Sequence, residues 1–194
     1  MKKLILVSVI SSIVSAAALA APAAPTPADG DADSTSATLT WEAQVPTIIP
    51  GAWVTFTGVG GAMTLSNGDL NVKADGSFAS TPIQLELHTY DESNNTAGPL
   101  VVVGTDQFNG VAVSSIAYTV SAPVFSSLIG TDVSDVVYTV KQDGAMIPTD
   151  TATPLQNAET VWAIEGANIG TMVGGDTVTA TTVVRADVAF AVAN

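Results

Sequence analysis

Apolar and polar residues alternate with a period of two along much of this chain, and the alternation is strictest in two stretches. Over residues 37–46, read A-T-L-T-W-E-A-Q-V-P, the side chains of Ala37, Leu39, Trp41, Ala43 and Val45 fall on one side of an extended backbone. Thr38, Thr40, Glu42 and Gln44 fall on the other, the pattern of a half-buried β-strand. From residue 177 to 192 the same alternation places Val178, Ala180, Thr182, Val184, Ala186, Val188, Phe190 and Val192 on one face. A strand this long either crosses a sheet at the edge of a sandwich or forms the rim of an open groove. An open rim is a hazard until something covers it.

Between these stretches, strands are expected at residues 53–57, 63–65, 77–90, 100–103, 111–121, 133–142 and 160–165, where valine and threonine dominate. Asn67-Gly68, Asp75-Gly76, Asn109-Gly110, Asp143-Gly144 and Gly174-Gly175 punctuate them, as tight turns between antiparallel strands require. No stretch beyond the first twenty residues sustains a 3.6-residue period with caps. The expected fold is therefore an all-β sandwich of roughly seven to ten strands.

The first twenty residues belong to export rather than to the fold. Lys2 and Lys3 precede an uncharged apolar run over residues 4–17, and Ala18-Leu19-Ala20 supplies the small-x-small site at which signal peptidase cuts. A membrane anchor is the alternative, but the run is short for a bilayer span and lacks a basic stop-transfer flank. Residues 21–35, rich in proline, alanine and aspartate, read as a flexible leader. The sandwich is then expected over residues 36–194, opening with the strand at 36–46.

Loss of Lys2 and Lys3 takes the formal charge from −13 to −15 and leaves Lys73, Lys141 and Arg185 as the basic residues. Nothing in that set could neutralise a row of phosphates, so nucleic acid is not an expected partner. Membrane insertion after signal cleavage is not expected either, and an anionic bilayer surface is disfavoured for the same reason. The acidity reads as solubility and mutual repulsion. Cysteine is absent, so disulfides, thiol chemistry and cysteine metal sites play no part.

Candidate chemistry is sparse. Asp29-Gly30-Asp31-Ala32-Asp33 begins like a calcium loop, but Ser34 stands where the loop needs glycine and Thr40 where it needs glutamate. Asn94-Asn95-Thr96 matches the glycosylation pattern and equally a hairpin turn. His88, the single histidine, has no cysteine partner for zinc and no nucleophile context for a triad, so it is expected as a partly exposed strand residue. No enzyme, metal or cofactor is expected from this inventory.

Residues 39–46, L-T-W-E-A-Q-V-P, resemble the opening strand of chaperone-usher pilins of the class 5 fimbriae, the colonisation factor antigen I type. Major subunits of that family begin with alternating apolar and threonine residues, then Ala-x-Val and a nearby proline. L-E-L-H-T-Y-D over residues 85–91 is similar to a second strand of the family. The resemblance implies an incomplete immunoglobulin-like sandwich that lacks its final strand and is completed by donor-strand exchange. It implies Leu39, Trp41, Ala43 and Val45, with Ala37 as a fifth, as the inserted side chains. Identical or related pilin subunits would be the partners, with a periplasmic chaperone and an outer-membrane usher for assembly. The product would be an extracellular fimbrium serving adhesion or biofilm.

Two alternatives stand beside that implication. Residues 37–45 can equally form the first strand of a complete sandwich. A secreted monomer of that kind would bind a glycan or other surface ligand, with Trp53, Trp162 or Tyr118 either as stacking platforms or as core.

Overall fold

The computed structural model describes residues 47–193, and the expected strand at 36–46 lies outside them. Thirteen strands form among the described residues. They are β1 (Val54–Thr57), β2 (Leu70–Val72), β3 (Phe78–Ser80), β4 (Ile83–Asp91), β5 (Thr96–Leu100), β6 (Val111–Val120) and β7 (Val124–Ser127). Then follow β8 (Val137–Gln142), β9 (Ala145–Ile147), β10 (Thr153–Pro154), β11 (Glu159–Ala167), β12 (Val178–Thr181) and β13 (Val184–Val192). Every pairing is antiparallel, and the architecture is an all-β sandwich.

One sheet runs β1-β4-β11-β3-β2, with β5 added on β4, β8 on β11 and β9 on β8. A second, β10-β6-β13, lies against it, and β7 with β12 makes a third, two-stranded sheet. The core forms between the first two: Leu85 and Leu87 of β4, Val140 of β8 and Trp162 of β11 meet Val113, Ile116, Tyr118 and Val120 of β6. The polar atoms of the two large core aromatics are matched, whereas Gln142 Nε2 of β8 and Thr119 Oγ1 of β6 are buried without a partner. The Tyr118 hydroxyl donates to the Asn157 carbonyl at 2.8 Å, and Trp162 Nε1 donates to Thr160 Oγ1 at 2.8 Å.

Three departures from simple alternation have physical causes. In β6 the inward residues switch from odd to even positions between Val113 and Ile116, because Ser114 is an extra residue: Ser115 pairs with Ala189 and Val113 with Phe190. The bulge lets both apolar sets face inward. The expected strand at 77–90 is split in two at Thr81-Pro82, since proline has no N–H for a ladder.

The long alternation at 177–192 is likewise two strands. β12 pairs with β7 and β13 with β6, and the switch lies at Thr182-Val183. Ser121 pins it, its N–H donating to the Val183 carbonyl at 2.9 Å while its hydroxyl accepts from Val183 N–H at 3.0 Å. The partner chain bends at the same point, passing through Pro123 between β6 and β7. Residues 63–65, expected as a strand, form none, although Leu65 still packs on the core.

Turn chemistry holds where both turn residues take positive φ. Asp143 (φ 51°) and Gly144 (φ 82°) join β8 to β9 in a two-residue hairpin of the type I′ kind. Asn67-Gly68 makes no such turn, and Gly68 instead lies under the Thr81 carbonyl and the Ile83 side chain.

Gly166, one residue before the end of β11, is fixed by space. A Cβ there would collide with the Val137 carbonyl and the Phe78 ring. Gly166→Ala should therefore lower stability by about 1–3 kcal/mol through forced repacking. Gly174→Ala, with nothing within 4 Å, should stay within about 0.5 kcal/mol of the parent. Denaturant midpoints of the two variants check the pair.

Candidate functional site

β13 is nine residues long and pairs with β6 along one edge. Among the described residues, no strand pairs with its other edge, and none pairs with the outer edge of β1. These two edges face the same side of the sandwich, because Trp53, immediately before β1, meets the Phe190 ring of β13 at 5.7 Å between centroids, edge to face. Phe108 also meets Phe190, at 5.3 Å between centroids and edge to face. Each such ring pair contributes about 0.5–1.5 kcal/mol beyond its buried area.

The rim between β1 and β13 is apolar on its inner side. Val184, Ala186, Val188 and Phe190 of β13, with Val54 and Phe56 of β1, pack against the core yet remain only half-buried. Trp53 is 61% exposed and Val192 81%. The outer side of β13 carries one charge pair, Arg185 to Asp187 at 2.8 Å, both groups largely in solvent. The edge has no proline, no lysine and no covering strand among the described residues. Those are among the devices by which edges are blunted, and of the rest β13 carries the one charge pair.

Behind β1 lies a polar clasp. The turn at Val59–Gly61 follows β1 and folds over β4, where Gly60 N–H and Gly61 N–H donate to the two oxygens of Glu86 at 3.0 and 3.1 Å. Gly60 (φ 71°) and Gly61 (φ 78°) both lie in the left-handed region, which is what aims consecutive amides at one carboxylate. His88 Nε2 lies 3.1 Å from Glu86 Oε2, and His88 Nδ1 2.8 Å from the Gly98 carbonyl. Gln84 Nε2 adds a fourth donor to Glu86 at 3.3 Å. The Gly60 amide, with further help from His88 and Gly61, holds the Glu86 carboxyl below its usual range against the opposing effect of burial.

His88 is thus buried and paired, which corrects the expectation of a partly exposed strand residue: both ring nitrogens are taken up in tying β4 to the Gly98 carbonyl and to Glu86. Tyr118 and Trp162 are core residues, and burial pushes the Tyr118 hydroxyl pKa up. Of the three aromatic candidates for a stacking surface, only Trp53 reaches solvent, at the rim. Asn95 (φ 51°) lies in the turn between β4 and β5, so the 94–96 triplet sits on a hairpin. Ala37, Leu39, Trp41, Ala43 and Val45 lie outside the described residues.

Sequence reasoning did not find the Glu86 clasp, because its donors are twenty-five and twenty-six residues away. The available signal was L-E-L-H itself: Glu86 and His88 share the outer face of a strand whose inner face is Leu85 and Leu87. No protein-family model matches this chain, and no curated protein is similar enough to count as a relative.

Glu86 has its pKa lowered in the folded state, so its contribution to stability is present above its unfolded value of 4.5 and is lost as pH falls through the folded value. The thermal midpoint should begin to fall below pH 4.5. Glu86→Gln should lower the midpoint at neutral pH and flatten the acid limb. A Glu86→Gln profile parallel to that of the parent would show that the clasp does not govern that limb.

Proposed function

We propose that this chain is a structural subunit of a surface fimbria, polymerised by donor-strand exchange. The reading is carried by the open edge of β13, whose half-buried apolar face lies along the same rim as β1. The chain also carries its own candidate insert, Ala37, Leu39, Trp41, Ala43 and Val45, alternating just ahead of the described residues. Strand addition of this kind gives affinity through main-chain hydrogen bonds and specificity through alternate side chains. Burying four or five apolar side chains in a preformed groove contributes several kcal/mol before ordering costs.

On this reading the immunoglobulin-like sandwich is incomplete in one chain and completed by the next. Identical or related subunits are its partners, a periplasmic chaperone and an outer-membrane usher escort it, and the assembled fimbrium serves adhesion or biofilm. The second reading, a secreted monomer that binds a surface glycan, draws on Trp53, an exposed aromatic with room for a sugar face.

Two measurements separate them. Trp41→Asp should block polymer formation, because a charge entering a desolvated groove without a partner costs several kcal/mol, whereas Thr40→Asp on the opposite face should be tolerated. Assembly followed by size-exclusion chromatography reads this out. A chain lacking residues 21–46 should be unstable alone, and appending residues 34–46 after Asn194 through a short linker should give a soluble monomer of raised thermal midpoint. A full mature chain that is a stable monomer without a chaperone, and that gains nothing from the appended strand, overturns the exchange reading.

A further inference from the structure

Two features of β13 constrain what can lie beside it, and one feature of residues 37–45 constrains what could do so. Its inner face reads Val184, Ala186, Val188, Phe190, so its smallest side chain stands between two valines and its largest at one end. Its outer face carries Arg185 and Asp187, two residues apart and of opposite sign. The stretch 37–45 has a single charge, Glu42, and a single large side chain, Trp41, on opposite faces of adjacent positions.

We propose that residues 37–43 of one copy lie antiparallel to β13 of another in a single register, with Glu42 opposite Arg185 and Trp41 opposite Ala186. Leu39 then faces Val188, Ala43 faces Val184, and the small Ala37 faces Phe190. Large meets small at both ends of the size range, as close packing demands. On the outer face Thr40 stands opposite Asp187, and Arg185 gains a second carboxylate. Cross-strand opposite charges are favourable and like charges opposed are not.

Neighbouring arrangements fail on one count or the other. Sliding the insert by two residues in one direction sets Glu42 against Asp187, a like-charge pair. Sliding it in the other leaves Glu42 opposite Val183 and sets Trp41 on Val184. A parallel strand can keep Glu42 at Arg185 only by setting Trp41 on Val184 and Ala43 on Ala186, which crowds one position and leaves the next empty. A parallel strand with Trp41 on Ala186 again meets Asp187 with Glu42. The antiparallel register alone satisfies size and charge together.

The inference rests on the reading that residues 37–45 close the rim, and its test separates the two. The chain has no cysteine, so introduced pairs report without background exchange. Directly opposed residues of an antiparallel pair have Cα atoms about 4.5–5.5 Å apart, within disulfide range. In the full mature chain, Thr40→Cys with Asp187→Cys, and separately Glu42→Cys with Arg185→Cys, should form disulfides under mild oxidation. Thr40→Cys with Val183→Cys, the pair that a parallel strand would oppose, should give no more product than either single cysteine. Non-reducing gels should show a covalent ladder that collapses on reduction. A product of single-chain mass linked at the same two pairs would uphold the register and overturn exchange between copies. Preferential linkage through Val183→Cys, or no linkage above the single-cysteine controls, overturns the register.

Discussion

The pairing of β13 with β6 is the contact on which the rest of the rim depends. Every backbone amide and carbonyl needs a partner, and a strand offers these groups alternately to its two sides. β6 satisfies one side of β13 along its full length, from Val184 opposite Val120 to Val192 opposite Val111. That ladder fixes which face of β13 is turned to the core. It also leaves a straight row of donors and acceptors on the other side. The Ser114 bulge and the Ser121 corner are accommodations to the same pairing: one keeps both apolar sets of β6 inward, the other carries the pair β6 and β13 over into β7 and β12.

Carboxylates organise the loops of this chain, which gives its acidity a structural meaning beyond solubility. Asp176 accepts from the Ser127 hydroxyl at 2.6 Å and from the amides of Leu128, Ile129 and Thr131 at 2.8–3.0 Å. The Ser127 hydroxyl and the Thr131 contacts hold its pKa far below the ordinary range. Asp91 takes the side chain of Asn94 and the amides of Ser93 and Asn94, and Asp132 takes both the amide and the hydroxyl of Ser134. Glu86 does the same for the turn after β1. Hydrogen bonds to an ionised acceptor are stronger than neutral ones, so a chain without disulfides gains rigid turns from them. Lys141 with Glu165 and Arg185 with Asp187 pair across or along strands, and such exposed pairs add little stability.

Much of the architecture was legible because alternation records burial directly. Valine and threonine at period two marked β1, β4, β6, β8, β11 and β13, and Asp143-Gly144 marked its hairpin. The short strands β2, β7, β9 and β10 escaped, since two to four residues carry too little pattern to separate from a loop, and the strand expected at 100–103 meets β5 only at Leu100. A break such as Thr182-Val183 was invisible for a different reason: the chain changes partners there without changing which face is inward. Trp53 illustrates the limit for the site. Nothing in W-V-T-F-T says that its ring lies outside the core, because that depends on Phe190 and Phe108, far away in sequence.

Each lip of the rim is stiffened by its own strand pairing, and this bears on how strand addition would be possible at all. β13 is held by its ladder to β6, while β1 is paired with β4 and its far end is drawn down by the amides of Gly60 and Gly61 on Glu86. Phe190, in contact with both Trp53 and Phe108, joins the lips at the end where Val192 is exposed. An incoming strand would therefore meet walls already in place and would lose only its own freedom on binding, a backbone term of about 1–2 kcal/mol per ordered residue. Were the lips mobile as well, ordering them would consume most of what apolar burial contributes. A buried carboxylate on one side and a full ladder on the other would therefore lower the ordering cost of strand addition by sparing the lips their share of it.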